Sequence, residues 1–265
     1  AGKFDLAVSL VRSPLISVAL LLSGIPHRAG IDSAGRGFGY TVRARIDPNQ
    51  PRHEGEIYLD VVRALGVDAN DCYANLPVSD TDREAVRSKL RARDIIGAYL
   101  VVNPAGGRNP GMVMDAKRYP PELLAELVNR LAPVLGAQVV LVAGPGDSAL
   151  VTDMKQILSG TAQSFTGELS FGEIAALASE ACLYLGNDTG LTHLAAAAGA
   201  KTVMILGPSD PTRYAPFVPG ALALWKPASI QAAGVAAGAR EDWDWSRDGI
   251  SVDEAEQQIR AWLGI

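Results

Sequence analysis

LYLGNDTGLTHLAAAAGAKTVMILGPSDP, residues 183–211, is the stretch on which the fold of this chain turns. An apolar run over Cys182–Leu185 predicts a strand, and the polar stretch Gly186–Gly190 predicts the turn that follows it. Small residues over Leu191–Ala198 predict a helix. Gly199 stops it, and a second strand (Thr202–Leu206) and a second turn (Gly207-Pro208) come next. A turn that brings Asp188, Thr189 and Gly190 to a helix start offers N–H groups without intrahelical partners at the positive end of the helix dipole. Such a turn suits a phosphate or another anion. Asp188 can accept hydrogen bonds from sugar hydroxyls, and His193 falls about one turn into the helix. The same residues also fit an ordinary βαβ unit whose helix is capped by an Asx turn.

Working outward, strands are predicted at Tyr99–Asn103 and Val139–Ala143. Helices are predicted at Pro120–Leu135, with Pro133 breaking the last turn, and at Phe171–Ser179, capped by Ser170. Strands separated by helices imply right-handed crossovers and a parallel sheet over residues 95–250. Ligands of such sheets bind beyond the carboxyl ends of the strands. Four turns fall at that edge: Asn103–Gly107, Gly144–Asp147, Asn187–Gly190 and Gly207–Ser209. All are rich in Gly, Pro, Asp or Asn, and their convergence predicts a binding cleft. Nearer the N-terminus the pattern gives a strand at Phe4–Leu10 and a helix at Ser13–Ser23 with Pro14 in its first turn. A short strand at His27–Ile31, a loop at Gly35–Gly39 and helices at His53–Leu65 and Asp80–Arg93 follow. An amphipathic helix over Asp253–Leu263 closes the chain.

The 265 residues suffice for one large or two medium domains. A hydrophobic fraction of 48%, a charged fraction of 20% and a net charge of −5 describe a globular protein without a global basic field for nucleic acid. Arg28, Arg36, Arg43 and Arg45 gather around the Gly-rich loop, where a binding role is open. Arg87, Lys89, Arg91 and Arg93 alternate along a helix and read as a solvated face. Cys72 and Cys182 are far apart and in no metal-ligand spacing, which points to a reducing compartment, with Cys182 a buried small hydrophobe. No run is long enough to span a bilayer. Leu15–Ile25 is short, contains Ser17 and Ser23, and reads as a core helix. No signal peptide is visible.

Residues 183–211, with VVNPAGG at 101–107 and DAKRYPPE at 115–122, resemble the bacterial heptosyltransferases of glycosyltransferase family 9. DTGLTHLAAAAG followed by ILGPSDP is the most specific piece. KRYPPE resembles the family's Lys-x-Trp-Pro-Glu segment, with Tyr119 in place of Trp. FDLAVSLVRSPLISVALLLSGIPHRAGI and RHEGEIYLDVVRALG resemble the family more loosely, so the likeness covers almost the whole chain. It implies an α/β, GT-B-like protein: a partial N-terminal, acceptor-side domain over 1–94, a Rossmann-like nucleotide-sugar domain over 95–250, and a terminal helix over 251–265 crossing back to the first domain. Family members begin with a further strand and a Gly-Asp loop that supplies the base. Nothing in these residues corresponds to that segment, so no general base is identified.

The implied reaction is inverting transfer of a heptose from ADP-heptose to a lipopolysaccharide inner-core acceptor, metal-independent and without a cofactor. It would take place in the cytoplasm, with peripheral contact at the inner membrane and no nucleic-acid partner. A departing diphosphate gathers negative charge and needs fixed donors. The resemblance assigns Lys117 and Asp188 to catalysis, and Gly106, Gly107, Lys117, Asp147, Asp188, Thr189, Gly190 and His193 to the nucleotide sugar. Lys117 meets the phosphates. Gly106 and Gly107 stand where the family places threonines, and Arg108 is a substitute donor there. Asp147 would accept the ribose hydroxyls, unless GPGD is only a helix-capping turn. Arg36 and His53 are minor candidates for an acidic acceptor. Two other classes stay open: an inactive or truncated nucleotide-sugar-binding remnant, and a nucleotide-sugar epimerase.

Overall fold

The computed structural model describes residues 3–109, 112–226 and 243–265. Its contacts divide the chain into two compact units, the first ending at Tyr73 and the second beginning at Ala74.

In the first unit β1 (Leu6–Ser9), β2 (His27–Ser33) and β3 (Val42–Ile46) form a parallel sheet in that order. Helix α1 (Pro14–Leu22) joins β1 to β2, and α2 (Glu54–Ala64) follows β3. Ile57 and Val61 of α2 close the core on Ala29, Ile31 and Ala44. Strand β3 carries the alternation Val42-Arg43-Ala44-Arg45-Ile46 of a half-buried strand. Reading those arginines as part of a basic cluster hid it. Arg28 and Arg43 are not free for a ligand. Arg28 Nε donates to Gly39 O at 2.8 Å, and Arg43 donates to Tyr40 O and Phe38 O at 3.0 and 2.8 Å, so both satisfy loop carbonyls. His53 caps α2 through Nδ1, which accepts from Gly55 N at 3.0 Å. The apolar helix expected in the core lies at the surface of its unit: Leu15 and Leu22 are 77% and 79% exposed, and Ser17 is the buried residue of α1.

The second unit runs α3 (Asp80–Arg91), β4 (Tyr99–Asn103), a two-residue antiparallel pair β5 (Arg108–Asn109) and β6 (Met112–Val113), α4 (Pro121–Leu135), β7 (Gln138–Ala143), α5 (Ser148–Ile157) and β8 (Ala162–Thr166). It continues with α6 (Phe171–Glu180), β9 (Leu183–Asn187), α7 (Gly190–Ala197), β10 (Thr202–Ile205), α8 (Pro211–Tyr214), β11 (Leu222–Leu224), α9 (Trp245–Asp248) and α10 (Val252–Leu263). Six parallel strands pair in the order β8-β7-β4-β9-β10-β11. In chain order that is 3-2-1-4-5-6, the doubly wound dinucleotide-binding arrangement, and the winding reverses between β4 and β9. Leu100, Val102, Leu141, Leu183, Leu185 and Val203 bury one sheet face against α4 and α10; Val101, Val140, Val142 and Tyr184 bury the other against α3 and α6.

Three expectations are corrected in this unit. Helix α3 belongs to it, so the division falls at Tyr73/Ala74 rather than after residue 94. The cause is the row read as a solvated face: Arg87 pairs with Glu180 at 2.7 Å, Lys89 with Glu173 at 2.6 Å, and Arg93 with Glu168, so these cations bind α3 to α6 and its approach. Helix α10 buries Val252, Ala255 and Ile259 against the core of this unit, and Asp253 and Glu256 pair with Arg130 of α4 at 2.6 and 3.0 Å. Its apolar stripe is spent here rather than on the first unit. Pro133 does not break α4, which continues to a left-handed cap at Gly136. That close to the C-terminus the proline removes only the bond to one late carbonyl.

Candidate functional site

Where the winding reverses, β4 ends in Asn103 and β9 in Asn187, both essentially fully buried. Asn103 Oδ1 accepts from Ala105 N at 3.0 Å, and its Nδ2 donates to Thr189 Oγ1 at 3.2 Å. Asn187 Nδ2 donates to Pro104 O and Ala105 O, each at 3.0 Å, and its Oδ1 accepts from Tyr119 N at 2.9 Å. Two asparagines on neighbouring strands thus fix the loop after β4, the turn before α4 and the start of α7. Gly107 takes φ +73° in that loop, where a Cβ would stand 2.3 Å from Met114 O, so a larger residue is excluded.

These segments enclose a cleft of about 860 Å³. Of the residues proposed from sequence, Gly106, Gly107, Lys117, Asp147, Asp188, Thr189, Gly190 and His193 all line it. Lys117, on a 3-10 turn over Asp115–Lys117, places Nζ 2.7 Å from Asp188 Oδ2. Ser209 Oγ donates to the same oxygen at 2.8 Å. His193 Nε2 stands 3.7 Å from Oδ1, long for a hydrogen bond. Burial raises the Asp188 carboxyl, but His193 beside it, the charge and hydrogen bond of Lys117 and the Ser209 hydroxyl outweigh burial and hold it down at about 2. Asp188 is therefore ionised at any physiological pH.

Thr189 caps α7, its Oγ1 accepting from Thr192 N, so Gly190 and Leu191 open the helix with amides that have no intrahelical acceptor. The Asp147 carboxylate makes no capping bond at the start of α5, and it lines the cleft instead. The His193 side chain is 40% exposed and is not packed beneath the turn. The side chain of Arg108 lies outside the described residues. Leu76, Pro77, Phe171, Ala175, Leu191 and Leu194 add apolar surface to the cleft. The first two are held there because Ala74 N donates to Phe217 O and Leu76 N to Ala197 O, at 2.9 and 2.8 Å. Among the described residues no group of three or more His, Cys, Asp or Glu is disposed to hold a metal.

Tyr119, which replaces the tryptophan of the resembling motif, is fully buried. Its ring meets Trp245 edge-on at 5.1 Å, and its hydroxyl donates to Ile250 O at 3.1 Å. Tyr119→Phe leaves that buried carbonyl without its donor and is expected to cost about 1–2 kcal/mol in chemical denaturation. ADP affinity should not change, since the ring and its packing persist.

The sequence reading missed the supporting asparagines and Ser209. A visible signal was available in the repeated placement of Asn at a strand end just before a functional turn, in Asn103-Pro104 and Asn187-Asp188.

A doubly wound parallel sheet with a cationic, amide-lined cleft at its switch point defines a nucleotide-binding α/β domain. Residues 1–238 match glycosyltransferase family 9 (heptosyltransferase), and the chain belongs to that family. Lipopolysaccharide heptosyltransferase 3 of Escherichia coli strain K12 is 26% identical over 234 residues, which cover 85% of this chain and 65% of that protein. The chain thus spans just under two thirds of the length of that relative. Among solved structures, a family 9 glycosyltransferase from Veillonella parvula DSM 2008 superposes with TM-score 0.79 at 20% identity, over 99% of this chain and 74% of that one. The E. coli ADP-heptose LPS heptosyltransferase II gives 0.71 at 21% identity, over 98% and 77%. These likenesses place the fold in the GT-B-like α/β class.

Proposed function

We propose that this chain carries the donor half of an inverting heptosyltransferase that uses ADP-heptose, or a closely related nucleotide sugar, and passes the sugar to a lipopolysaccharide core acceptor. The observation that carries the reading is the pairing of Lys117 with an ionised, buried Asp188 beside the open amides of α7. An ammonium and a helix N-terminus are what a departing diphosphate requires. An ionised carboxylate at the same place can accept from sugar hydroxyls and offset positive charge growing at the anomeric carbon. As the acceptor hydroxyl oxygen bonds to that carbon and gives up its proton to a general base, a role assigned to none of the described residues, the carbon–oxygen bond to the diphosphate breaks, and its electron pair goes to the phosphate oxygen that Lys117 faces. Metal-free transfer is part of the proposal, with Lys117 and the α7 amides supplying the positive charge.

Asp147, which makes no capping bond and lines the cleft wall, suits the two ribose hydroxyls, and the apolar lining suits a base. The name of the E. coli heptosyltransferase II supports ADP-heptose as donor, and that of heptosyltransferase 3 supports a lipopolysaccharide acceptor. Family membership removes the support for an epimerase. Among the described residues no helix is long and apolar enough to cross a membrane. We place the reaction in the cytoplasm, with peripheral contact at the inner membrane where the acceptor lies.

Titration calorimetry with ADP, UDP and ADP-heptose tests the donor. ADP is expected to bind and UDP to bind more weakly. Asp188→Asn should weaken ADP-heptose about tenfold more than ADP, as loss of one charged acceptor predicts. No binding of either nucleotide would refute the reading, and a preference for UDP would move the donor to another class.

A further inference from the structure

We propose that Ser209 is a positioning residue for Asp188: its hydroxyl holds the carboxylate toward the donor sugar when Lys117 turns to the diphosphate. The inference rests on the reading of Asp188 as the sugar-facing group. Both Lys117 Nζ and Ser209 Oγ sit on Oδ2 of Asp188, at 2.7 and 2.8 Å, while Oδ1 is left toward His193 and the cleft. Lys117 serves two anions. Its ammonium closes the ion pair with Asp188, yet a bound diphosphate carries more charge and competes for the same hydrogens. Any turn of Lys117 toward phosphate would leave Oδ2 of a buried carboxylate with one donor fewer, which is costly unless another stays.

Ser209 is built to stay. Its residue is fully buried in the turn after β10, and the next residue, Asp210, locks the start of α8 by accepting from Thr212 N at 2.9 Å. The same turn is pressed against the Lys117 turn: a Cβ on Gly207 would stand 2.5 Å from Ala116 O and 2.7 Å from the Trp245 ring. That close approach brings the hydroxyl and the ammonium to one oxygen. A neutral hydroxyl on a short side chain cannot follow the diphosphate, so it keeps Oδ2 oriented without competing for the phosphate. It also leaves Oδ1 as the acceptor presented to the sugar.

Calorimetry on the full chain with ADP-heptose and with ADP tests this. Ser209→Ala is expected to weaken ADP-heptose about tenfold and ADP by no more than about twofold, as loss of one hydrogen bond to a charged group predicts. Ser209→Thr, which keeps the hydroxyl, should restore the ADP-heptose affinity. In an Asp188→Asn background, Ser209→Ala should add nothing, because the carboxylate it positions is gone. The proposal is overturned if Ser209→Ala weakens both ligands equally, which marks a structural role only. Effects of the two substitutions that multiply would overturn it too, as would a Ser209→Ala protein that keeps its ADP-heptose affinity while Asp188→Asn loses it. If Asp188→Asn itself leaves ADP-heptose binding intact, the failure lies with the sugar-facing reading of Asp188, and Ser209 loses its role with it.

Discussion

Lys117→Ala should lower ADP affinity roughly a hundredfold and destabilise the protein at neutral pH by about 3 kcal/mol. Two effects of different origin are combined in those numbers. The affinity falls because a charge-assisted contact to the diphosphate disappears from a site where water screens little. The stability falls because Asp188, with its side chain 9% exposed, keeps its charge and loses its cation. Desolvation then has less opposing it, and the carboxyl climbs from about 2 toward its ordinary value, with His193 and Ser209 still holding it down.

The pH dependence follows from the direction of that shift. In the native protein the Asp188 carboxyl sits below its unfolded value of about 3.9, so its contribution is fully present above pH ~4 and is lost as the pH falls toward ~2. Acid denaturation of the wild type should therefore include a steep stretch in that window, worth about 2–3 kcal/mol, and Lys117→Ala should retain only the part that His193 and Ser209 supply. Combining Lys117→Ala with Asp188→Asn separates the two effects. The double variant should regain most of the stability, since no charge is left unpaired, and none of the ADP affinity. Recovery of nucleotide binding in the double variant would show that Lys117 acts on the site only by neutralising Asp188.

How far the sequence discloses such a site depends on the range over which each residue acts. Strand β9, helix α7 and their connecting turn are contiguous, and the period of the apolar positions with the Gly and Asp of the turn describes them well. Most of the cleft was legible because its turns follow strand ends that the parallel topology brings to one edge, whereas Lys117, on a 3-10 turn ahead of α4, came from the family resemblance. Ser170 and Glu173, read as a helix start, form a reciprocal capping box that is wholly local. What escaped was either short or held from afar. Strands β8 and β11 have five and three residues and lie at the outer ends of the order, where partly polar sequence such as Ala162-Gln163-Ser164 gives little alternation. The ion pairs of α3 escaped because their partners are 84 to 93 residues away on α6, and charge spacing on one helix says nothing of what faces it. Ser209 and Asn187 are of this second kind, since their importance comes from neighbours contributed by other strands.

Asn187→Ala should show the opposite balance to Lys117→Ala, with stability lost first and binding lost through it. The amide makes three hydrogen bonds, to Pro104 O, Ala105 O and Tyr119 N, and all four residues are nearly or fully buried. Alanine removes every partner at once and opens a space too small to rebuild them. Two carbonyls and one N–H are left dry, and at about 1–3 kcal/mol each the expected cost is about 4 kcal/mol after partial relaxation. Asn187→Asp is the sharper experiment, because its volume is nearly unchanged. One carboxylate oxygen can still accept from Tyr119 N, but the other would face two carbonyl oxygens at the distance where the amide donated. Charge and repulsion make it at least as destabilising as alanine. Urea denaturation should rank wild type above Asn187→Ala and Asn187→Ala at or above Asn187→Asp. ADP affinity should fall in both, because the loop bearing Gly106 and Gly107 and the turn leading from Lys117 to Tyr119 lose their common anchor. An Asn187→Asp protein as stable as wild type would mean that the amide donors contribute nothing, and that the switch-point geometry is held by the backbone alone.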